Sequence, residues 1–429
     1  MKKKIFMFVL FAFGLLFVPN AYAKEAPIYD DANKLFFANG TAITISERTD
    51  GVSGATITWD GGSVNIPEGV SVFGAAHESD TVYDSTSIVM NGGVVKNIVG
   101  GGLHKSEVGT TNITVNGGKV TSVIGGGGAS FKNTTCHRPW YDEAENESPT
   151  IVLKSNVTIN GGNIWGVFGG GEGISKTQEA NVFVNGGKMT YVIAGGSNGF
   201  TGDSVVTVNG GEINTLQAVN RGSMVTSAIT VEGGKIKNAY VAGDSSDNEV
   251  TGTIKGAVME INGGEVGGLY PGSNGGPNVS AKDVVTATYK DGTVTTLSND
   301  FKEGTVSTTI KLTFVGGEDD DVDSILIPKG TKFTDDQLNE IISNINALLK
   351  EENLELDGFY LDEDYTQKFD MTSEFSSDVT VYVKTKELSQ EREEIKNPET
   401  SDINVIALIS LITLGTIGLG YTVKKRKFN

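Results

Sequence analysis

The chain is poor in cysteine, histidine, tryptophan and proline. Among its 429 residues are one cysteine, three histidines, three tryptophans and nine prolines. A single cysteine excludes a disulfide framework and any multi-cysteine zinc site. Three histidines leave little material for a metal centre, so no metal and no cofactor is expected. Little proline and no Gly-X-Y period exclude collagen. Positive charge is also scarce, with 34 Lys and Arg against 53 Asp and Glu and a net charge of −19. Several of those basic residues sit at the two ends, so the body is more acidic still. Such a body repels nucleic acid and anionic lipid, and no nucleic-acid partner is expected. Hydrophobic residues make up 38% of the chain, with many Val and Ile, which argues against wholesale disorder. What the chain has in excess is glycine: 57 residues, about 13% where an average chain has roughly 7%.

Both ends read as addresses. Residues 1–23 have the parts of a secretory signal: Lys2–Lys4, an apolar run from Ile5 to Val18, and a small-residue site at Ala21-Tyr22-Ala23. The mature chain is then expected to start near Lys24. At the other end, Asn397-Pro398-Glu399-Thr400-Ser401 precedes an apolar run at 403–423 and a basic tail, Lys424-Lys425-Arg426-Lys427. The run has the ~20 residues a transmembrane helix needs, and the basic tail would stay on the cytoplasmic side. This order resembles a Gram-positive cell-wall sorting signal, whose common form is L-P-x-T-G. Pro398 and Thr400 match, while Asn397 and Ser401 replace Leu and Gly. The resemblance implies cleavage after Thr400 by a sortase, with covalent transfer of Thr400 to peptidoglycan. A plain membrane anchor is the alternative. The expected location is therefore secreted and attached to the cell wall, membrane-anchored before cleavage.

The middle of the chain repeats. A triad of Asn, Asp or Glu followed by Gly-Gly begins at Asp60, Asn91, Asn116, Asn160, Asn185, Asn209, Glu232 and Asn262, with a base period of about 24 residues. Numbered from the triad's first member, positions −3 and −1 are apolar in every copy, from Ile57 and Trp59 to Met259 and Ile261. Position +4 is apolar throughout, from Val64 to Val266, and so is +7 in the last seven copies, from Ile98 to Leu269. The alternation before the triad is strand period, the triad is a turn where positive φ is cheap, and a second strand follows. Strand, turn, strand at one period predicts coils that stack and share one core. The expected fold class is mainly β: a right-handed parallel β-helix of about eight coils, residues 57–276, behind an N-terminal cap at 24–56. An antiparallel hairpin array is the competing arrangement.

Two columns predict register. The triad's first residue is Asn in six copies, and stacked amides can bond along a ladder. At +3, Lys188, Glu212, Lys235 and Glu265 alternate in sign, so stacked neighbours would pair. Glycine runs after the second strand, such as Gly125–Gly128, read as tight corners, because no helix follows to make a phosphate site.

The longest spacing holds an insertion at 131–149. It carries Cys136, His137, Arg138, Trp140 and Tyr141. Solenoid insertions form surface loops, often on the binding face, so His137, Arg138, Trp140 and Tyr141 are a candidate ligand-binding loop. Folding of those aromatics against the rod is equally compatible. Cys136 beside His137 lacks a third group for nucleophilic catalysis.

After a connecting β segment at 277–304 the pattern changes. Strands are expected at Val284–Tyr289, Thr293–Leu297, Thr305–Val315, Ile325–Ile327, Gly358–Leu361 and Val379–Lys384. Thr334 and Gln337 form a capping-box pair, and Leu338, Ile341, Ile342, Ile345, Leu348 and Leu349 make one helix face. Gly358-Phe359-Tyr360-Leu361-Asp362, Phe369-Asp370 and Asp378-Val379-Thr380-Val381-Tyr382-Val383-Lys384 resemble the internalin B-repeat, also called the Listeria–Bacteroides repeat. That resemblance covers 305–386 and implies a small β-grasp-like α+β module of a surface protein, without catalytic residues. A short linker at 387–396 leads to the sorting region, 397–429.

The composite expectation is a wall-anchored surface protein, an adhesin or structural scaffold that binds an unidentified polysaccharide or a host or cell-surface protein. The alternative is a surface-anchored β-helix polysaccharide lyase or glycoside hydrolase. Such chemistry needs convergent titratable groups, and the acids of the coils fall in different columns. No catalytic residue is assigned.

Overall fold

The computed structural model describes residues 25–77, 80–128, 149–243, 253–272, 280–281, 285–302, 304–316, 321–350 and 353–387. The signal segment, residues 131–148 of the insertion, residues 388–396 of the linker, the sorting motif and the apolar run at 403–423 lie outside the described residues. Among the described residues no helix is long and apolar enough to cross a membrane.

The chain is mainly β and winds through two long sheets. The first is an eleven-stranded sheet. After an antiparallel edge, Ile28–Asp30 on Leu35–Phe37, it stacks Leu35–Phe37, Ser71–Phe73, Val94–Val99, Lys119–Ile124, Asn163–Phe168, Lys188–Ile193, Glu212–Gln217, Lys235–Tyr240, Glu265–Tyr270 and Val294–Leu297, each parallel to its neighbour. The second sheet stacks Ile43–Ser46, Val82–Met90, Glu107–Val115, Ile151–Ile159, Lys176–Val184, Ser197–Val208, Arg221–Val231, Thr253–Ile261, Thr286–Lys290 and Val306–Gly316 in parallel. Each coil gives one strand to each sheet, which is a β-solenoid-like fold. The parallel registers place −1 on −1 and −3 on −3 in successive coils, for example Val157↔Val182 and Ile159↔Val184.

The predicted apolar columns form the core. Positions −3 and −1 of the second sheet face +4 and +7 of the first, and from Ile88 to Leu269 nearly all are sealed from water in one continuous cluster. Each such side chain contributes about 1.5–3 kcal/mol of transfer free energy, and a coil shares that gain only with the coils above and below.

Each member of the triad has its own task. The N–H of the first residue donates to the coil below, as in Asn116 to Met90 O at 2.7 Å and Asn185 to Ile159 O at 2.7 Å. The first glycine lies against that coil: a Cβ at Gly186 would stand 2.7 Å from the carbonyl oxygen of Asn160. The second glycine turns the chain with positive φ, between 79° and 97° from Gly93 to Gly264, where an L side chain is strained. The asparagine amides form the expected ladder, with Nδ2 of Asn116, Asn160, Asn185 and Asn209 each donating to Oδ1 of the asparagine below at 2.8 Å. Glu232 breaks the run of amides, since its carboxylate only accepts, and it takes a bond from Asn262 Nδ2 at 2.9 Å. The alternating charges also meet, Lys188 with Glu212 at 2.9 Å and Lys235 with Glu265 at 3.2 Å. These pairs are exposed and each is worth no more than about 1 kcal/mol.

The copy at Asp60 is different. Gly54–Trp59 and Gly62–Pro67 pair antiparallel, with Ile57 opposite Val64, so this copy is a hairpin rather than a coil. Its left-handed residue is Gly61, one position earlier than in the stacked copies. That leaves the two-residue Asp-Gly loop that closes hairpins, and Gly62 admits the Trp59 ring over it. The coils meanwhile extend beyond the triads at both ends, because Leu35–Ser46 and Thr286–Gly316 stack on the sheets without an Asn-Gly-Gly turn. The region expected to be a cap thus already contains a coil.

The C-terminal unit grows out of the last coil. Strand Val306–Gly316 pairs parallel with Thr286–Lys290 through its first residues. Further along it pairs antiparallel with Asp321–Pro328 and parallel with Val379–Glu387. Leu354–Tyr360 closes this small sheet on Val379–Glu387. Helix Asp335–Leu349 covers it. The capping box is in place: the Thr334 N–H donates to Gln337 Oε1 at 3.0 Å, and the Gln337 N–H to Thr334 Oγ1 at 3.3 Å. Ile341, Ile345 and Leu349 pack into a second core with Leu312, Phe314, Phe359 and Val381.

Asn160 sits mid-ladder, bonded on both sides. Asn160→Ala is expected to lower stability by about 1–2 kcal/mol, read as a lower urea midpoint. An unchanged midpoint would show that the ladder contributes nothing.

Candidate ligand-binding face

In the first sheet the +3 and +5 positions are exposed or half-exposed, whereas the +8 residues from Val99 to Tyr240 are buried apart from the +4 and +7 core. A Cβ at Gly166 (+6) would meet the ring of Phe168 (+8) at 2.8 Å, and one at Gly268 the ring of Tyr270 at 2.6 Å, so the +6 and +8 columns share one side. The two glycines let aromatic rings lie across the sheet. Leu35, Phe37, Phe73, Val99, Leu103, Ile124, Phe168 and Ile193 make an apolar cluster separate from the core, with Tyr191 packed against it. The +8 column continues through Gln217 to Tyr240 and Tyr270, whose rings stack with centroids 4.9 Å apart.

Trp165 is the most prominent residue of this face. It keeps 48% of its surface exposed and stands edge-on to Tyr191, with centroids 5.1 Å apart and planes at 63°. Counted from each triad, its +5 column runs on through Thr190, Asn214 and Lys237 to Gly267, and Thr295 lies between Val294 and Thr296, the partners of Val266 and Gly268. Asn214, Lys237, Gly267 and Thr295, with Glu212, Lys235 and Glu265 of the +3 column, line a shallow trough of about 340 Å³. The face thus combines an aromatic pair, amide and hydroxyl groups, and two acids balanced by two lysines. Such a surface offers stacking and hydrogen bonding.

A second cavity, about 500 Å³, lies in the C-terminal unit between Leu338 and Ile342 of the helix and Leu356, Phe359, Phe369 and Met371. Beside it, Lys384 Nζ sits over the rings of Tyr360 and Tyr365 at 5.7 and 5.3 Å. The Tyr382 hydroxyl is pushed up from its ordinary pKa by burial and by the carboxylate of Glu363. Two of the three histidines also meet: His77 and His104 lie 5.4 Å apart, and His77 stacks on Phe37. Among the described residues no three His, Cys, Asp or Glu side chains are grouped to hold a metal ion.

The loop residues singled out by sequence, His137, Arg138, Trp140 and Tyr141, lie outside the described residues, as do Asn397, Pro398, Glu399, Thr400 and Ser401. What is described is Gly128, which precedes them in the chain. The Gly128 N–H donates to Gly102 O at 2.9 Å, and a Cβ at Gly128 would lie 3.2 Å from Phe73 and 3.5 Å from Leu103. Gly128, the last described residue before this gap, therefore lies beside the second apolar cluster. Sequence reasoning missed Trp165. The available signal was its column: the same position carries Lys96, Thr121, Thr190, Asn214 and Lys237 in other coils, and only Trp165 is aromatic.

No protein-family model matches the chain, and the searches of curated proteins and of solved structures return no match.

The Tyr240–Tyr270 stack is open to a double-mutant cycle. Tyr240→Ala and Tyr270→Ala are expected to couple by about 0.5–1.5 kcal/mol in denaturant unfolding, whereas additive effects would mean that the rings contribute separately.

Proposed function

We propose that the chain is an exported surface protein, anchored to the cell wall, that serves as an adhesin or display scaffold. The observation that carries this reading is a rod of stacked coils with an exposed, aromatic-bearing outer face, placed in the sequence between a secretory signal and a sorting-type end. Stacking gives a stiff body without a ligand of its own, and a stiff body suits presentation of a binding face away from a membrane. In this reading the solenoid is a right-handed parallel β-helix, the hand favoured by parallel crossovers. The small α+β unit, with Phe359 and Val381 at motif positions inside its core and Phe369 packed against it, is an internalin B-repeat-like, β-grasp-like module. A sortase acts at Thr400 and peptidoglycan receives the chain, with the segment 403–423 holding it in the membrane until then. The ligand is a polysaccharide or a host or cell-surface protein, bound through the rod's faces and loops.

Cell fractionation tests the anchor. The native chain is expected in the fraction released by a muramidase, and Thr400→Ala is expected to move it to the detergent-extracted membrane fraction. Native chain found only in the detergent fraction would contradict wall attachment. Equal release of the two forms by the muramidase would contradict a role for Thr400.

A further inference from the structure

Trp165 has no task that coil stacking requires. Its column is filled in neighbouring coils by Thr121, Thr190, Asn214 and Lys237, and those coils keep the same parallel register. An indole left 48% exposed holds apolar surface in water at a cost. It is also fixed in place, because Tyr191 braces it at 5.1 Å and Tyr191 itself rests on the outer apolar cluster. A braced, half-exposed aromatic two coils before the trough, whose lining begins at Asn214, is a preorganised contact.

The trough states the chemistry of its occupant. Glu212 and Glu265 are balanced by Lys235 and Lys237, so it is locally neutral in a chain of net charge −19. A polyanion meets the field of the whole acidic chain and a polycation finds no surplus of acid in the trough. An uncharged chain rich in hydroxyls meets both donors and acceptors. The aromatic surface of the face is split between the Trp165–Tyr191 pair and the Tyr240–Tyr270 stack, which is little contiguous area for a protein partner that needs about 800 Å² per side with a desolvated centre. From Trp165 to Thr295 the column takes five coil steps, about 24 Å at ~4.8 Å per coil. That is the length of a short oligosaccharide lying along the rod.

We infer that the outer face of the first sheet binds a neutral polysaccharide lengthwise, with Trp165, braced by Tyr191, stacking on a sugar ring and Asn214, Lys237 and Thr295 bonding its hydroxyls. The inference rests on reading the chain as a surface binding protein and specifies the ligand class of that face.

The test uses the whole exported chain in affinity electrophoresis, with tryptophan fluorescence as a second readout. The probes are soluble mannan, laminarin and galactan, with alginate and chitosan as charged controls. At least one neutral polymer is expected to retard the chain and shift its emission, and alginate and chitosan are not. Trp165→Thr, which installs the residue of the neighbouring coils, is expected to weaken binding at least tenfold with an unchanged circular dichroism spectrum. Tyr191→Ala is expected to weaken it several-fold, and Thr207→Ala on the outer face of the other sheet to leave it unchanged. Should Tyr191→Ala disturb folding, Asn214→Ala with Lys237→Ala is the substitute and is expected to give a similar loss. No binding to any neutral polymer, or full binding by folded Trp165→Thr, overturns the assignment. So does Trp165-dependent binding of alginate, chitosan or a protein in place of the neutral polymers. The wider proposal fails separately: cells that still adhere through this chain carrying Trp165→Thr would refute only the trough, whereas a chain that is not exported would refute the surface reading while the purified chain could still be tested on the polymers.

Discussion

Hydrogen bonding between successive Asn-Gly-Gly turns sets the spacing that the rest of the molecule must meet. The N–H of the triad's first residue donates to the coil below, and so does that of the residue after the triad, as in Lys188 to Gly162 O and Glu212 to Gly187 O, both at 2.9 Å. These bonds draw the turns so close that a Cβ on the first glycine would enter the neighbouring backbone. They also carry the asparagine amides to 2.8 Å of one another. With turns fixed in register, the −3, −1, +4 and +7 columns fall on one another and close the core. The same register lines up the outward columns, which is why single residues such as Trp165 can define a face.

The last coil passes this order on. Strand Val306–Gly316 begins against Ala287, Thr288 and Tyr289 of the solenoid and ends between Val379–Tyr382 and the strand Asp321–Pro328. Val306 rests on the solenoid core, while Ile310, Leu312 and Phe314 belong to the second core. A continuous strand joins the two units, so the smaller one is held by backbone hydrogen bonds in addition to the chain itself. Without Val306–Gly316 the strand Asp321–Pro328 would lose its partner and only the pair Leu354–Tyr360 with Val379–Glu387 would remain under the helix. Extension of the solenoid sheet supplies a ready-made strand to build on.

The parts of this fold that repeat are the parts that could be read in the sequence. Twenty-four-residue spacing and four apolar columns identify the coils, the two strands of each, and the charge pair Lys188–Glu212. The capping box and the helix face from Leu338 to Leu349 are equally local and were equally legible. The hairpin at Asp60 was not, because it satisfies the same triad and the same −3, −1 and +4 positions. It departs in sequence only at +7, where Pro67 stands for the apolar residue of the other copies, and in backbone by the shift of positive φ from the second glycine to Gly61. The coils at Leu35–Ser46 and Thr286–Gly316 escaped because they lack the triad and are held by their neighbours' pattern. The outer face was hidden for a related reason: reading columns for the core treats outward positions as interchangeable polar filler, and an aromatic there is a property of one coil. The loop at His137–Tyr141 and the motif at Asn397–Ser401 stand out in sequence and lie outside the described residues, so their readings rest on sequence pattern alone.

The glycine excess thus marks stiffness. Two glycines per turn allow close stacking, and the rod that results presents a braced indole and a neutral trough along one side. The central claim, that the triads bond coil to coil, is tested most directly by hydrogen exchange with mass spectrometry on the intact chain. The account predicts that the backbone amides of Asn116, Asn160, Asn185 and Asn209 and of Lys119, Asn163, Lys188 and Glu212 are protected to the same degree as the core strands. In an antiparallel hairpin array the same residues would form open turns. Rapid exchange at the triads beside protected strands would contradict the stacked-coil account.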